Sequence, residues 1–181
     1  YFSATEAYEE AIKHNPNYII ARMNYGVVST ERLGDFDGAI RQYKAILETK
    51  RKLWSIPFIY NNKRSTKINK GLAYYNMGVA YKQKSLYTAD NNWVLKRKYL
   101  QDALDSYEKA AKILKKHYDT SYNLALTQHL LGNYHDAGLN YCKAIEISPF
   151  NYEAHFNLAI LLKHLKYYKE SLNELEKATD L

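Results

Sequence analysis

Along most of this chain large apolar residues recur every three or four positions, the spacing of a helix with one buried face. Leu95, Tyr99, Ala103, Tyr107, Ala110 and Leu114 make one such series. One residue type interrupts the pattern. The stretch YYNMGVAY, residues 74–81, sets Asn76 and Gly78 inside an otherwise apolar helix. Asparagine is poor there because its amide competes with the backbone for hydrogen bonds. MNYG (23–26), YNLA (122–125) and FNLA (156–159) carry the same signature. Asn24, Asn76, Asn123 and Asn157 are therefore one recurring feature.

The recurrence has a period. From Tyr118 to Asn151 the order Leu124, Ala125, Gly132, Tyr134, Ala137, Tyr141, Ala144 and Pro149 is followed, 34 residues on, by Leu158, Ala159, Tyr168, Ser171, Leu175 and Ala178. Small residues at the eighth, twentieth and twenty-seventh positions let two helices of a hairpin approach closely, and large ones fill the spaces between. Proline then ends the second helix, because it cannot continue the hydrogen-bond ladder.

This pattern resembles the tetratricopeptide repeat, a 34-residue helix–turn–helix unit. The resemblance implies an all-α fold, a right-handed α-solenoid of antiparallel helix hairpins, stabilised by stacking of neighbours. Run along the chain, the register predicts a single solenoid over 1–181. Residues 1–18 hold the second helix of a truncated repeat (Ala4, Tyr8, Ala11, Pro16), and 19–53 a full repeat with Gly26, Ala39, Tyr43 and Ile46. An insertion covers 54–70, and 71–117 form a repeat with a second insertion near 85–97. Residues 118–151 and 152–181 complete the array. Within the first full repeat, ERLGDF holds one residue more than the pattern wants. The first insertion is expected to extend a helix towards Trp54, break at Pro57 and restart near Ser65. The second is expected in the turn of the central hairpin, lengthening the following helix at its start by one or two turns.

The resemblance also implies a concave groove lined by the first helix of each repeat. Helical spacing independently places the fifth, ninth and twelfth positions on one face. The sixth position reads Asn24, Asn76, Asn123 and Asn157, a ladder similar to that in the repeat arms of O-linked sugar transferases. Such amides either bond to the backbone of an extended peptide or cap and bridge neighbouring helices. The fifth position reads Met23, Tyr75, Tyr122 and Phe156, and the ninth Val27, Val79, Leu126 and Ile160, an apolar and aromatic wall. An exposed wall of this kind marks an interaction site unless another segment, WSIPFIY included, covers it. Lys82, Gln83, His129, Lys163 and His164 follow at one rim, so a ligand with apolar side chains and some acidic character suits the groove. The chaperone-tail clamp known in this family needs lysine at the fifth position and asparagine at the ninth. Both are apolar here, which argues against it.

Composition narrows the classes further. The chain is 46% apolar with three prolines and seven glycines in 181 residues, a folded and helix-favouring balance. Its apolar runs stop far short of the roughly 18 residues needed to span a bilayer. Cys142 is the only cysteine, which removes internal disulfides and cysteine-based metal clusters. The six histidines lack metal-binding spacing and read as surface or groove polar residues, so no metal and no cofactor is expected. The net charge of +7 is concentrated at the insertions. Lys50, Arg51, Lys52, Lys63, Arg64, Lys67 and Lys70 lie at the first, and Lys82, Lys84, Lys96, Arg97 and Lys98 bracket the second. Interleaved with Trp54, Phe58, Tyr60 and Trp93, these edges could meet acidic protein or anionic lipid. Nucleic acid is disfavoured for want of a reader motif.

No nucleophile, base and orienting acid fall together, and no phosphate loop occurs, so the chain is not expected to be an enzyme. The leading expectation is a protein-interaction scaffold that binds a peptide or partner segment in its concave groove within a larger assembly. Two alternatives stand beside it: the substrate-selecting arm of a larger enzyme such as a sugar transferase, and an anchor to an anionic surface or nucleic acid through the basic insertions. The opening at Tyr1 without a leader suggests an excerpt of a longer protein. Compartment and oligomeric state stay open, with the cytoplasm slightly favoured over a bacterial periplasm.

Overall fold

The computed structural model describes residues 2–48 and 63–180, and side chains for all of these but Phe2, Ser3, Lys63 and Arg64. Among the described residues every long regular element is an α-helix: α1 (Phe2–His14), α2 (Ile19–Val28), α3 (Phe36–Glu48), α4 (Lys63–Leu86), α5 (Trp93–Ile113), α6 (Tyr118–Leu131), α7 (Tyr134–Ile147), α8 (Tyr152–His164) and α9 (Tyr168–Thr179). They fall into two compact units, Tyr1–Ile113 and Leu114–Leu181. Within each unit successive helices pack together, and α2 also touches α4, as α6 touches α8. α2 packs on α3 and α6 on α7 across the short turns at 34–35 and 132–133, so each pair is a helix hairpin. The course expected between Trp54 and Pro57 lies outside the described residues.

Close approach of two helices is what each hairpin requires, and a tyrosine–small residue pair supplies it. A Cβ on Gly26 would stand 2.6 Å from ring carbons of Tyr43, and one on Gly78 would stand 2.7 Å from the ring of Tyr107. Both rings are fully buried. In the second unit Ala125 takes the small position and shares a core with Tyr141, Ala137, Leu158 and Leu161. The first unit has the equivalent core in Ala39, Ile40, Tyr43, Ile46, Ala73, Met77 and Ala80. Tyr74 and Tyr81 pack against it from the same helix.

The surplus residue in ERLGDF has a structural answer. α2 runs straight into a π-helical turn, Ser29–Leu33, which is how a helix absorbs one extra residue without losing its ladder. Gly34 then closes it in the left-handed region, φ 66°, where a side chain would strain the backbone. Gly132 does the same after α6 at φ 86°. The matching place after α8 is filled by Lys166, at φ 67°.

α5 departs from its counterparts in length. α3, α7 and α9 begin three residues before Ala39, Ala137 and Ser171, whereas α5 begins ten residues before Ala103. Those seven additional residues lengthen the helix by about 10 Å at its start. At its own start α4 is long as well, taking up residues 63–70.

These contacts set the expected response to three substitutions. Gly78→Ala is expected to destabilise by about 1–3 kcal/mol in urea unfolding, because overpacking against Tyr107 outweighs the helix-propensity gain of up to ~1 kcal/mol. Gly138→Ala is the control: its Cβ would meet only Leu161 at an ordinary 3.7 Å, so the propensity gain should appear there. Lys166→Gly should raise the unfolding midpoint, by a stabilisation of about 1 kcal/mol, through relief of the left-handed lysine.

Candidate functional site

In the first unit the asparagine-bearing helices are α2 and α4. Asn24 is exposed, and Asn76 is half-buried with its Nδ2 donating to Met23 Sδ at 3.2 Å. The amide thus bridges two neighbouring helices and fixes Met23 on the wall. Val27, Val79 and Asn76 line a shallow open pocket with Thr30, Glu31 and Tyr43. Tyr75 is half-buried, its ring 6.0 Å from that of Tyr107. Lys82 is part-buried, and desolvation pushes its ammonium below the ordinary lysine value.

The second unit holds the other two asparagines, on α6 and α8. Asn123 is buried and its Nδ2 donates to the Asp119 carbonyl, one turn back, at 2.9 Å. Asn157 Nδ2 donates twice, to the Glu153 carbonyl at 2.8 Å and to the Tyr122 hydroxyl at 3.0 Å. That second bond ties α8 to α6 and leaves only Oδ1 of Asn157 for a ligand. Tyr122 is further fixed by stacking on Tyr118, centroids 5.8 Å apart and planes 8° apart. Leu126 is half-buried. Phe156 and Ile160, 45% and 43% exposed, stand one turn apart on α8 and flank Asn157. Lys163 and His164 are exposed one turn further on.

His129 sits half-buried with its ring edge-on to Tyr134 at 5.8 Å and to Tyr141 at 6.3 Å. Desolvation first, and then the nearby His164, hold its pKa below the ordinary 6.5. His155 corrects the reading of the histidines as surface or groove residues. It is buried, with Nδ1 2.7 Å from Glu174 Oε2 and Nε2 3.1 Å from the Pro149 carbonyl. Both ring nitrogens face oxygen atoms, one on α9 and one at the turn before α8. Periodicity could not show this, since the deciding partner lies nineteen residues on, in α9.

The basic edges divide in the same way. Lys50, Arg51 and Lys52 lie outside the described residues, and Lys63 and Arg64 occupy the first turn of α4 with their side chains undescribed. Lys67 is exposed and Lys70 half-buried. At the other insertion Lys84 Nζ reaches Asp37 Oδ1 at 2.6 Å, and Lys96 Nζ reaches Asp90 Oδ1 at 3.0 Å. Arg97 and Lys98 are exposed.

Sequence reasoning passed over several residues. Thr30 and Glu31 line the pocket, and their helical spacing from Val27 was the available signal. Asn140 was also missed; its Nδ2 donates to Gln128 Oε1 at 2.9 Å and joins α7 to α6. Among the described residues no group of three or more histidine, cysteine or acidic side chains could hold a metal ion. No described helix is long and apolar enough to cross a membrane.

A hairpin stack with tyrosines set over small residues, and a repeated asparagine-bearing helix beside them, defines a repeat protein of the interaction-scaffold class. The tetratricopeptide repeat matches residues 3–52 and again 118–151 and 152–181, together well over half the chain. The chain belongs to the tetratricopeptide repeat family. Among solved structures it is similar to MamA, with 20% identity and TM-score 0.72 over 97% of this chain and 85% of that one. MamA of Desulfovibrio magneticus RS-1, from its residue 41 to the end, matches at 17% identity and TM-score 0.71, covering 98% and 82%. A thermophilic tetratricopeptide repeat protein of Thermus thermophilus matches at 19% and 0.67, covering 97% and 80%. At these identities the likeness speaks to the fold. No curated protein sequence matches the chain.

The α8–α9 lock generates a pH prediction. Burial alone would raise the Glu174 carboxyl, but hydrogen bonds from Lys177 at 2.6 Å and from His155 outweigh it and hold the group below its ordinary 4.5. A carboxyl depressed on folding stabilises the fold above its unfolded value, and that contribution is lost as pH falls through the folded value. Urea midpoints should therefore drop as pH is lowered from about 5 to about 3.5. Glu174→Gln should be less stable than wild type at neutral pH and show a flatter slope in that window.

Proposed function

We propose that each asparagine-bearing face, α2 with α4 in one unit and α6 with α8 in the other, is a surface that binds extended stretches of a partner protein. The family is one of protein-interaction scaffolds, and this chain is a member. The single observation that carries the finer reading is on α8. Phe156 and Ile160 leave nearly half their surface in solvent on either side of an amide whose free atom is an acceptor. Large apolar groups held one turn apart are suited to seat alternate side chains of a ligand, while Asn157 Oδ1 accepts from its backbone N–H. Lys163 beside them favours a segment with apolar and some acidic side chains. The reading gives the chain no catalytic step of its own.

The asparagines do not contribute alike. Asn123 and Asn157 spend amide hydrogens on the fold, so they orient the face, whereas exposed Asn24 has its whole amide to offer. A photo-cross-linking residue placed at Phe156 in the native source should capture a partner that the same residue at Leu139, exposed on α7, does not. With the captured segment as ligand, Phe156→Ala with Ile160→Ala should weaken binding by about 1–3 kcal/mol, leaving the melting temperature nearly unchanged. Asn24→Ala should weaken binding alone, and Asn157→Ala should lower binding and melting temperature together. Equal capture at Leu139, or full affinity in the double variant, would refute the reading.

A further inference from the structure

The lengthened start of α5 carries a surface that the partner-binding face does not use. α4 ends at Leu86 and α5 begins at Trp93, and around the turn between them four large side chains stand in solvent. Leu86 is 57% exposed, Tyr87 78%, Trp93 68% and Val94 60%. Single exposed apolar residues need no explanation, but a group gathered at one hairpin end does. The tip is braced rather than loose, since the Tyr87 ring rests 5.4 Å from that of Phe36 and Lys84 Nζ lies 4.7 Å over the Tyr99 ring.

Cations lie directly behind this tip. On α5 the residues one turn after Trp93 and Val94 are Arg97 and Lys98, on the same exposed face. Three carboxylates near this end are already engaged. Asp90 Oδ1 accepts from Lys96 at 3.0 Å, Asp37 Oδ1 from Lys84 at 2.6 Å, and Asp35 Oδ1 from the Gly38 N–H at 2.8 Å. No ion pair among the described residues involves Arg97 or Lys98, so their charge is available outward.

We propose that this hairpin end is a peripheral docking site for an anionic lipid surface. Trp93, Val94, Leu86 and Tyr87 enter the headgroup layer, and Arg97 and Lys98 reach lipid phosphates. Tryptophan and tyrosine favour that layer because each has an apolar body and a polar tip. Arginine and lysine stems can lie along the apolar side chains while their heads stay in the polar zone. The negative potential of such a surface adds to the attraction for each cation. The placement favours lipid over a peptide or nucleic acid: exposed apolar side chains stand on both sides of a turn at a helix end prolonged by about 10 Å, with two exposed cations one turn further along α5. Attachment of this kind is peripheral, in keeping with the lack of a membrane-crossing helix among the described residues.

Vesicles of phosphatidylcholine with and without phosphatidylserine test the proposal. The chain has two tryptophans, so Trp54→Phe leaves Trp93 as the sole emitter. Co-sedimentation with the phosphatidylserine vesicles, a blue shift of Trp93 emission, and weakening as salt is raised are the expected results. Arg97→Glu with Lys98→Glu should cut the bound fraction roughly tenfold or more, as should Trp93→Ala, with unchanged helicity and melting temperature as the folding control. The proposal is overturned by failure to sediment with phosphatidylserine vesicles, by binding that survives the double reversal, or by binding without a Trp93 shift. Polyglutamate that displaces the vesicles while leaving the emission unshifted would point to an acidic protein partner and would also overturn it.

Discussion

A tyrosine ring laid over a residue with no side chain, or with only a methyl, is the contact on which the hairpins of this chain depend. Tyr43 covers Gly26, Tyr107 covers Gly78, and Tyr141 shares its core with Ala125. Each ring is buried whole, so the dispersion and apolar transfer of an aromatic group are gained at the one point where two helices must come closest. A hairpin of this size cannot bury enough apolar surface alone, and the next helix completes the cover. Ala39, Ala73, Ala80, Ala103, Ala110, Ala137 and Ala144 are all fully buried, which keeps the successive helices near.

That packing also decides which side chains of these helices stay out of the core. Gly78 and Tyr74 are committed inward, so Asn76 and Val79, at neighbouring angles of the same helix, line the small pocket instead. The amides then do two kinds of chemistry at once. In Asn76, Asn123 and Asn157 they satisfy a neighbouring sulfur, carbonyl or hydroxyl and so hold the face in shape. What they leave over, an acceptor oxygen or in Asn24 the entire group, is what a ligand could meet. His155 contributes from behind, fastening the start of α8 to α9 and to the turn at Pro149, next to Phe156 and Asn157.

Much of this was legible because the repeat writes packing as spacing. Gly26, Gly78, Tyr43, Tyr107 and Tyr141 could be placed from register alone, since a close helix crossing tolerates few residue types. The helical series from Leu95 to Leu114 likewise carries the length of α5. Even the extra residue of ERLGDF was visible as a count, although only the backbone could reveal a π-helical turn as its resolution. Side-chain partners across helices were not legible. Asn157 with Tyr122, Asn140 with Gln128 and His155 with Glu174 join residues 12 to 35 positions apart through rotamers that no periodicity encodes. For the same reason the asparagines, alike in sequence, differ in what they still have to offer.

The most direct measurement is backbone hydrogen exchange of the chain with and without its captured partner segment. The account predicts slowed exchange concentrated in α2, α4, α6 and α8, strongest in the turns of α8 around Phe156 to Ile160. Protection confined to α3, α5, α7 and α9, with the asparagine-bearing helices unchanged, would contradict it.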